Sequence, residues 1–586
     1  LTMLIFIIAK VVFMLYNSNQ VYSGHDILTV LWNGLSLDFS TSLYIIIVPF
    51  LVCAVSIWLG GIKTLRIILR VYYLLIAIAM TLAFVADTSL YEFWLFKLDS
   101  SCLQYLETPT EAMASVSLGY IVIRFIVIAI VSYIVWWAYT HPRWRITSSN
   151  HRITESIVAL LCVPVIIIGI RGGLGESTTN IGQVYFSQNQ FLNHSAVNPV
   201  FNFIDSFDKA DADYSFMSDE ECSEIMSDLY NTQSINCDTL LNTQNPNIII
   251  ILLEGCGGEF TEIGGRTDIT PNLNKLAKEG IYFTNCYGNT WRTDRGTVCA
   301  LSGYPSFPTM SVMKIPSKSR SLPNIARTLQ KERGYKTSYI YGGDINFTNM
   351  RSYLISGGFE NLTWMKDYST EEQKTAQWGV RDDITFKTLY QMTTNTEQPF
   401  LIGFSTLSSH SPWDVPTKHF DDKVINSFHY LDECIGEFIN NLRKSESWKN
   451  TLVVMLPDHG IPYNGLDETS SLLNHIPMIW VGGAVKEPRQ IDQVCNQTDL
   501  PATLLGQLGI SHDEFSFSRD VLSSTYTKPF ATHTFDNGFS MVDSASFVSY
   551  DFVSNKVIAE EGHKNEQLLT FGKAILQAAS KDFKER

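Results

Sequence analysis

Apolar residues are spread very unevenly along the chain. Up to about residue 172 they come in long runs broken by short polar stretches, and beyond it polar and apolar positions mix as in a soluble protein. Runs near 1–16, 39–60, 68–86, 118–140 and 155–171 approach or exceed the length needed to cross roughly 30 Å of hydrocarbon as helices. This predicts a polytopic membrane domain of five transmembrane helices over 1–172. From 173 to 245 the chain turns polar and irregular, with a helical stretch at 219–229, and reads as a juxtamembrane connector. At 247 the pattern changes again. Ile248 to Leu253 are all apolar, as in a strand buried on both faces of a parallel sheet. Helical segments at 273–279, 322–331 and 425–442 then alternate with strand segments at 336–341, 400–406 and 452–456. That rhythm predicts a doubly wound α/β domain over 246–528. Segments at 532–535, 546–552 and 556–559 read as a small antiparallel sheet, closed by a helix at 566–579, so that 529–586 forms a C-terminal segment.

Loop charges orient the first part. Lys63, Arg66 and Arg70 follow the second run, and Arg143, Arg145 and Arg152 follow the fourth. The loop 17–38 has neither Lys nor Arg, and the loop 87–116 carries Glu92, Asp99, Glu107 and Glu111 against Lys97 alone. Basic loops stay cytoplasmic, so everything beyond Gly172 is expected outside the cytoplasm. Leu1 rather than Met opens the chain and Lys10 interrupts the first run. A trimmed N-terminus is therefore expected, with a cleaved signal sequence as the alternative. A net charge of −15 over 586 residues argues against nucleic acid, which needs a basic face. None of the ten cysteines falls in a zinc-site spacing, and Cys222 and Cys237 are candidates for pairing in an oxidising compartment.

In open α/β sheets, ligands gather at the carboxyl ends of strands. Glu254 ends the first strand, Asp458 and His459 follow 452–456, His410 follows 400–406, and Asp344 follows 336–341 across Gly342 and Gly343. Carboxylates and an imidazole converging on one edge are what a divalent metal requires.

Three motifs carry a family resemblance. The stretch Thr270-Pro271-Asn272-Leu273-Asn274-Lys275-Leu276-Ala277-Lys278-Glu279-Gly280, followed by Phe283-Thr284-Asn285, resembles the signature of the sulfatase and alkaline phosphatase superfamily. Trp378-Gly379-Val380-Arg381-Asp382-Asp383 and Gln497-Thr498-Asp499-Leu500-Pro501-Ala502-Thr503-Leu504-Leu505, with the preceding spans, make the chain similar to its lipoteichoic acid synthase and phosphoglycerol transferase branch. Sulfatases carry Cys-x-Pro-Ser-Arg followed by Leu-Thr-Gly. Here Thr293-Asp294-Arg295-Gly296-Thr297-Val298-Cys299-Ala300-Leu301-Ser302-Gly303 aligns without a gap, with Thr293 on the cysteine's position. The Pro, Ser and Arg of the maturation signal are missing, so conversion to formylglycine is not expected. Cys299, six residues on, reads as a buried helix residue. Thr293 itself is expected just before a helix at 297–302, whose N-terminus favours negative charge.

By this resemblance the metal ligands are Glu254, Thr293, Asp458 and His459. They imply one divalent ion, with Mn²⁺ first and Mg²⁺ or Zn²⁺ also compatible with the ligand set. Thr293 is the implied catalytic nucleophile, which coordination to a cation would activate. His410, Asp344 and Arg351 are implied substrate contacts. The segment around them departs from the family pattern, since a tryptophan expected near Thr348 is absent and the arginine is displaced by one position. His475 is implied at a second metal or the substrate, with a plain structural histidine as the alternative. The implied activity is transfer of glycerol phosphate from a phosphatidylglycerol-like phospholipid, through a phosphothreonine, to a hydroxyl of a glycolipid, glycan or polymer. The enzyme would sit in a bacterial cell membrane with its catalytic domain extracytoplasmic. The alternatives are phosphoethanolamine transfer, hydrolysis of phosphate or sulfate esters, and a binding or sensor protein without turnover. The first lacks its usual Gly-Glu-Thr after the strand, where this chain has Glu254-Gly255-Cys256; the last is disfavoured by the intact ligand set.

The charge rule makes a topological prediction. Reporter domains fused after Gly172 and within the Arg143 to Arg152 loop should register on opposite sides of the membrane, and labelling on one common side would refute it.

Overall fold

In the computed structural model the chain divides into two units, Leu1–Lys209 and Ala210–Arg586. The structure describes all residues except 18–21, 61, 95–96, 99–101, 104–117, 142–150, 188, 209–213, 231–238, 468, 537 and 553. Asp99, Glu107, Glu111, Arg143, Arg145 and Cys237 thus lie outside the described residues, and with Cys237 the pairing considered for Cys222.

In the first unit the apolar runs become helices Thr2–Tyr16, Gly24–Leu59, Lys63–Trp94, Leu118–Thr140 and Arg152–Arg171. The last four are long and apolar enough to cross a membrane. The first expected span is 15 residues, about 22 Å at 1.5 Å per residue, and falls short of a full bilayer. Gly24–Leu59 starts well before the expected 39 because Ser23 and Asp26 form a reciprocal capping box there.

Burial of charge organises this unit. Lys10 Nζ donates to Asp38 Oδ2 at 2.8 Å and to the Gly34 carbonyl at 3.1 Å, and Asn198 Nδ2 donates to Asp38 Oδ1 at 2.9 Å. Lys97 pairs with Asp87 and lies 4.0 Å from the centroid of the Phe13 ring. Part of the expected connector therefore belongs here. Phe191 stacks on Phe13, His194 Nδ1 meets the Tyr91 hydroxyl at 2.9 Å, and Asn202 Nδ2 donates to the Leu98 carbonyl. The rest of the connector belongs to the second unit, where helix Asp219–Leu229 packs on helix Glu566–Glu585. Polar composition concealed this division, because asparagine and histidine do the docking.

The second unit is built on nine strands: β1 (Asn247–Leu253), β2 (Ile281–Tyr287), β3 (Lys336–Tyr341), β4 (Asn361–Trp364), β5 (Phe400–Ser405), β6 (Thr451–Pro457), β7 (His475–Val481), β8 (Arg489–Ile491) and β9 (Cys495–Asn496). Their order is β4-β3-β5-β1-β6-β7-β2-β8, with β9 also on β2. The sheet is parallel from β4 through β6, and β7 runs against both β6 and β2, so it is mixed rather than all parallel. Every residue of β1, β5 and β6 is buried. Ile248, Ile250 and Leu252 enter one apolar core, with Val298 and Leu504 from helices on that face. Ile249, Ile251 and Leu253 enter the other, with Leu273, Phe386 and Phe428. Two cores, one per face, explain the unbroken apolar run.

A second sheet, β10 (Ala531–Phe535), β11 (Gly538–Val542), β12 (Ser546–Asp551) and β13 (Lys556–Gly562), is antiparallel in sequence order. Sequence pattern predicts three of its strands and misses β11. Helix Glu566–Glu585 is longer than the expected 566–579, because Ala579 and Phe583 remain in the core.

Replacing Lys10 by Met leaves Asp38 buried without its cation and should destabilise the detergent-solubilised protein by ~3–5 kcal/mol, read as a fall in thermal midpoint. Adding Asp38→Leu should recover most of the loss. A single variant as stable as the parent would refute the role of the pair.

Candidate active site

Strand register assembles the site. Leu253 of β1 pairs with Pro457 of β6, so the next residues, Glu254 and Asp458, emerge side by side at the carboxyl edge of the sheet. The chain then turns sharply on each. Gly255 has φ +63°, a left-handed conformation that glycine adopts without a Cβ penalty, and its N–H donates to Asp458 Oδ1 at 3.0 Å. The His459 N–H donates to the same oxygen at 2.9 Å. On the other flank, Glu254 donates its N–H to Thr406 Oγ1 at 2.9 Å, and its carbonyl accepts from Ser409 Oγ at 2.7 Å.

Glu254, Asp458 and His459 are all buried and form one of two groups among the described residues that could hold a metal. His459 Nε2 lies 3.5 Å from Glu254 Oε1 and 3.6 Å from Asp458 Oδ2. Thr293 Oγ1 donates to Glu254 Oε2 at 3.0 Å and lies 3.5 Å from His459 Nε2. Two ligands at about 2.0–2.2 Å from one ion sit roughly 3.0–3.5 Å apart, so the four side chains already approximate the edges of a coordination polyhedron. His459 Nδ1 is 2.9 Å from the Gly460 carbonyl. That contact requires Nδ1 to carry the proton and leaves Nε2 as the ligand atom. Electrostatics agree. Burial, reinforced by the charge of Glu254, raises the Asp458 carboxyl. His459 is driven up to about 10: burial opposes this, but Asp458 and Glu254 outweigh it. Glu254 goes the other way: burial opposes ionisation, but His459 holds its carboxyl down at about 2. An ionised carboxylate beside a carboxyl and an imidazole that hold protons in a buried space forms the donor set that a divalent cation fits.

Thr293 is the first residue of helix Thr293–Ser302, so the helix starts four residues earlier than expected. The hydroxyl therefore sits at the positive end of the helix, where developing negative charge is stabilised. Gly296 is required for this placement, since a Cβ there would lie 2.1 Å from the Asp458 carbonyl oxygen. Cys299 is fully buried, and burial pushes its thiol far up. It is a core residue.

The remaining expected residues fall around this cluster unequally. His410 Nδ1 contacts the Ser411 carbonyl at 2.8 Å, and its ring meets Trp378 edge-on at 4.7 Å between centroids. Trp378 donates Nε1–H to the same carbonyl and lies 6.0 Å from the Phe347 ring. Sequence reasoning treated Trp378 only as a motif letter and missed this aromatic wall. Asp344 Oδ1 accepts from the backbone and side-chain nitrogens of Asn346. Arg351 is half-buried with Nε lacking a hydrogen-bond partner; burial lowers its affinity for the proton, and Asp367 and Asp344 raise it. Between them Thr348 and Asn349 have φ of 55° and 64°, a strained conformation for a β-branched threonine. This is where the sequence departs from the family pattern. His475 is drawn elsewhere. Its Nε2 is 2.7 Å from the Thr284 carbonyl and its ring stacks on Tyr287, which ties β7 to β2. It is not among the side chains gathered with the two carboxylates.

The family motifs hold the ligands from behind. Asp382 accepts the N–H groups of Leu407 and Ser408 at 2.9 and 3.0 Å, fixing the start of the loop that carries His410. Gln497 Nε2 donates to the carbonyls of Pro457 and Asp458 at 2.9 and 2.8 Å.

Gly296→Ala should lower the thermal midpoint by an amount corresponding to ~1–3 kcal/mol of overpacking and weaken divalent-metal binding by displacing Asp458. Asp458→Ala should abolish binding at this cluster. Calorimetric metal titration that found both variants equal to the parent would refute this construction.

Residues 246–510 match the model of the sulfatase family. Lipoteichoic acid synthase 2 of Bacillus subtilis is 27% identical over 317 residues, 48% of this chain and 48% of its own. Phosphoglycerol transferase I of Xanthomonas campestris pv. campestris is 25% identical over 309 residues, 47% of this chain and 43% of its own. The chain thus spans about half the length of the curated relatives it matches. A solved alkaline phosphatase superfamily protein from Vibrio parahaemolyticus superposes with a TM-score of 0.55 at 26% identity, covering 64% of this chain and 98% of that one. Residues 246–510 thus form a sulfatase-type domain, and through it the chain is similar to lipoteichoic acid synthases and phosphoglycerol transferases.

Proposed function

We propose that the protein is a metal-dependent phosphotransferase of a bacterial cell membrane, with its catalytic domain outside the cytoplasm. It moves glycerol phosphate from a phosphatidylglycerol-like donor, through a phosphothreonine on Thr293, to a hydroxyl of a glycolipid, glycan or polymer. One observation carries the reading: the Thr293 hydroxyl lies 3.0 Å from Glu254 and 3.5 Å from His459 at a helix N-terminus. Relatives named for lipoteichoic acid synthesis and phosphoglycerol transfer support it.

Glu254, Asp458, His459 and Thr293 would hold one divalent ion, which when bound lowers the cost of the threonine alkoxide and of charge on the phosphate. Thr293 Oγ, after giving up its proton, bonds to phosphorus as the bond to the diacylglycerol oxygen breaks. That oxygen leaves with a proton as diacylglycerol. An acceptor hydroxyl then bonds to the same phosphorus, its proton passes out, and Thr293 regains its hydroxyl. The helix N-terminus stabilises negative charge in both steps. His410 and Arg351 supply donors for non-bridging oxygens, and Asp344 suits a glycerol hydroxyl. The wall of Phe347, Trp378 and His410 gives the head group an apolar flank. Membrane anchoring presents the lipid donor at high effective concentration.

Thr293→Ala removes the nucleophile and should cut transfer from a phosphatidylglycerol donor by roughly 10⁴–10⁶-fold, while Thr293→Ser retains part of it. Trapped turnover should place glycerol phosphate on the peptide bearing Thr293. Undiminished transfer by Thr293→Ala would overturn the mechanism.

A further inference from the structure

Away from the strand ends, a second group of ligand-type side chains comes together: His419, His429 and Glu433, each offering a ligand atom within 4.8 Å of the others. His429 and Glu433 are four residues apart on helix Lys423–Leu442, which puts them on one face. His419 precedes the helix and is held against it by Asn426. The Asn426 Oδ1 accepts the N–H of His419 at 2.7 Å and of Phe420 at 3.2 Å, and its Nδ2 donates to the Thr417 carbonyl at 2.7 Å. His419 Nε2 lies 3.1 Å from Glu433 Oε1, and the two imidazole rings are 4.6 Å apart between centroids.

A His–Glu ion pair on the surface accounts for His419 and Glu433. It does not account for His429, whose Nδ1 is 2.9 Å from the Ile269 carbonyl. A carbonyl only accepts, so Nδ1 carries the proton and Nε2 keeps the lone pair. A backbone acceptor on the far nitrogen is the usual support of a metal-binding histidine. Ligands on a common ion at about 2.0–2.1 Å lie roughly 2.9–3.4 Å apart, and the His419–Glu433 pair already sits in that range. His419 is exposed and the other two half-buried, so water can fill a fourth position.

We propose that His419, His429 and Glu433 form a second divalent-cation site, of zinc type. Two imidazoles and one carboxylate suit zinc better than magnesium or calcium, which favour oxygen. The site lies where the stretch that began at His410 enters helix Lys423–Leu442, so its ion clamps the far end of a loop whose near end Asp382 already fixes. This reading is independent of the phosphotransfer proposal.

The full chain in detergent, stripped with a chelator and equilibrated with micromolar Zn²⁺, should bind two equivalents by elemental analysis. The doubly substituted His419→Ala, Glu433→Gln chain should bind one, Asp458→Ala should bind one, and all three changes together none. Cobalt substitution of the Asp458→Ala chain should give a ligand-field absorption band that disappears when His419→Ala is added. Zinc should slow limited proteolysis between 411 and 422 at least tenfold in the parent and not in the doubly substituted chain, whose circular dichroism should match the parent. A His419→Ala, Glu433→Gln chain that binds as many equivalents as the parent would overturn the site. Equal cleavage rates with and without zinc would overturn the clamp.

Discussion

Everything chemical in this protein depends on the register between three parallel strands. Leu252 pairs with Ser405 on one side, and Leu253 with Pro457 on the other. A slip of one residue would exchange the faces of β1 and drive the isoleucines of one core into the other, so burial on both faces fixes the pairing. With the register fixed, the first polar residue after β1 and the first after β6 emerge as neighbours, and the loop after β5 brings Thr406 and Ser409 onto the backbone of Glu254. The hydrophobic effect thus sets the spacing of two carboxylates that no direct interaction would hold together.

Conserving that spacing under charge needs further support, and the motifs that carry the family likeness supply it. Asp382 and Gln497 of those motifs, and Asp432 outside them, are all buried and bind backbone groups. Asp432 accepts the N–H groups of Asn272 and Leu273 at the start of helix Pro271–Glu279. Asp499, two residues beyond Gln497, is locked by Arg519 through two hydrogen bonds of 3.1 and 2.7 Å, with the guanidinium 3.7 Å from the Phe530 ring centroid. These buried polar side chains satisfy peptide groups where loops leave the sheet and cannot complete a ladder.

Much of this was legible beforehand for a simple reason. Glu254 and Asp458 each follow an apolar run, and although a lone strand-end carboxylate is most often a cap or loop residue, a set of them on several strand ends points to a shared site. The β2–β7 pairing was not legible, because β2 mixes buried and half-buried positions and carries an irregularity between Phe283 and Cys286. For His475 the resemblance left a ligand and a structural histidine both open, and its contact with the Thr284 carbonyl, 191 residues away, has no local signal in the sequence. The early start of the helix at Thr293 was hidden by Asp294, Arg295 and Gly296, a polar and flexible triplet whose burial comes only from packing. His419, His429 and Glu433 escaped notice because a periodic reading assigns such residues to the solvated side of an amphipathic helix, which is correct for two of them by spacing and uninformative about their grouping.

The same forces favour Thr293 over Cys299 as the proposed nucleophile. Nucleophilicity needs an anion, and an anion needs either water or fixed positive charge. Cys299 has neither: it is buried in apolar packing two turns into the helix, where a thiolate would be heavily penalised. Thr293 begins as the weaker acid, yet it occupies the helix end, where unpaired N–H groups face outward, and touches the cluster whose protons a cation would replace. Two buried carboxylates are a liability to the fold when nothing balances them. The position of Thr293 places its oxygen against that liability, so a cation held by Glu254, Asp458 and His459 would both balance their charge and favour the ionised hydroxyl.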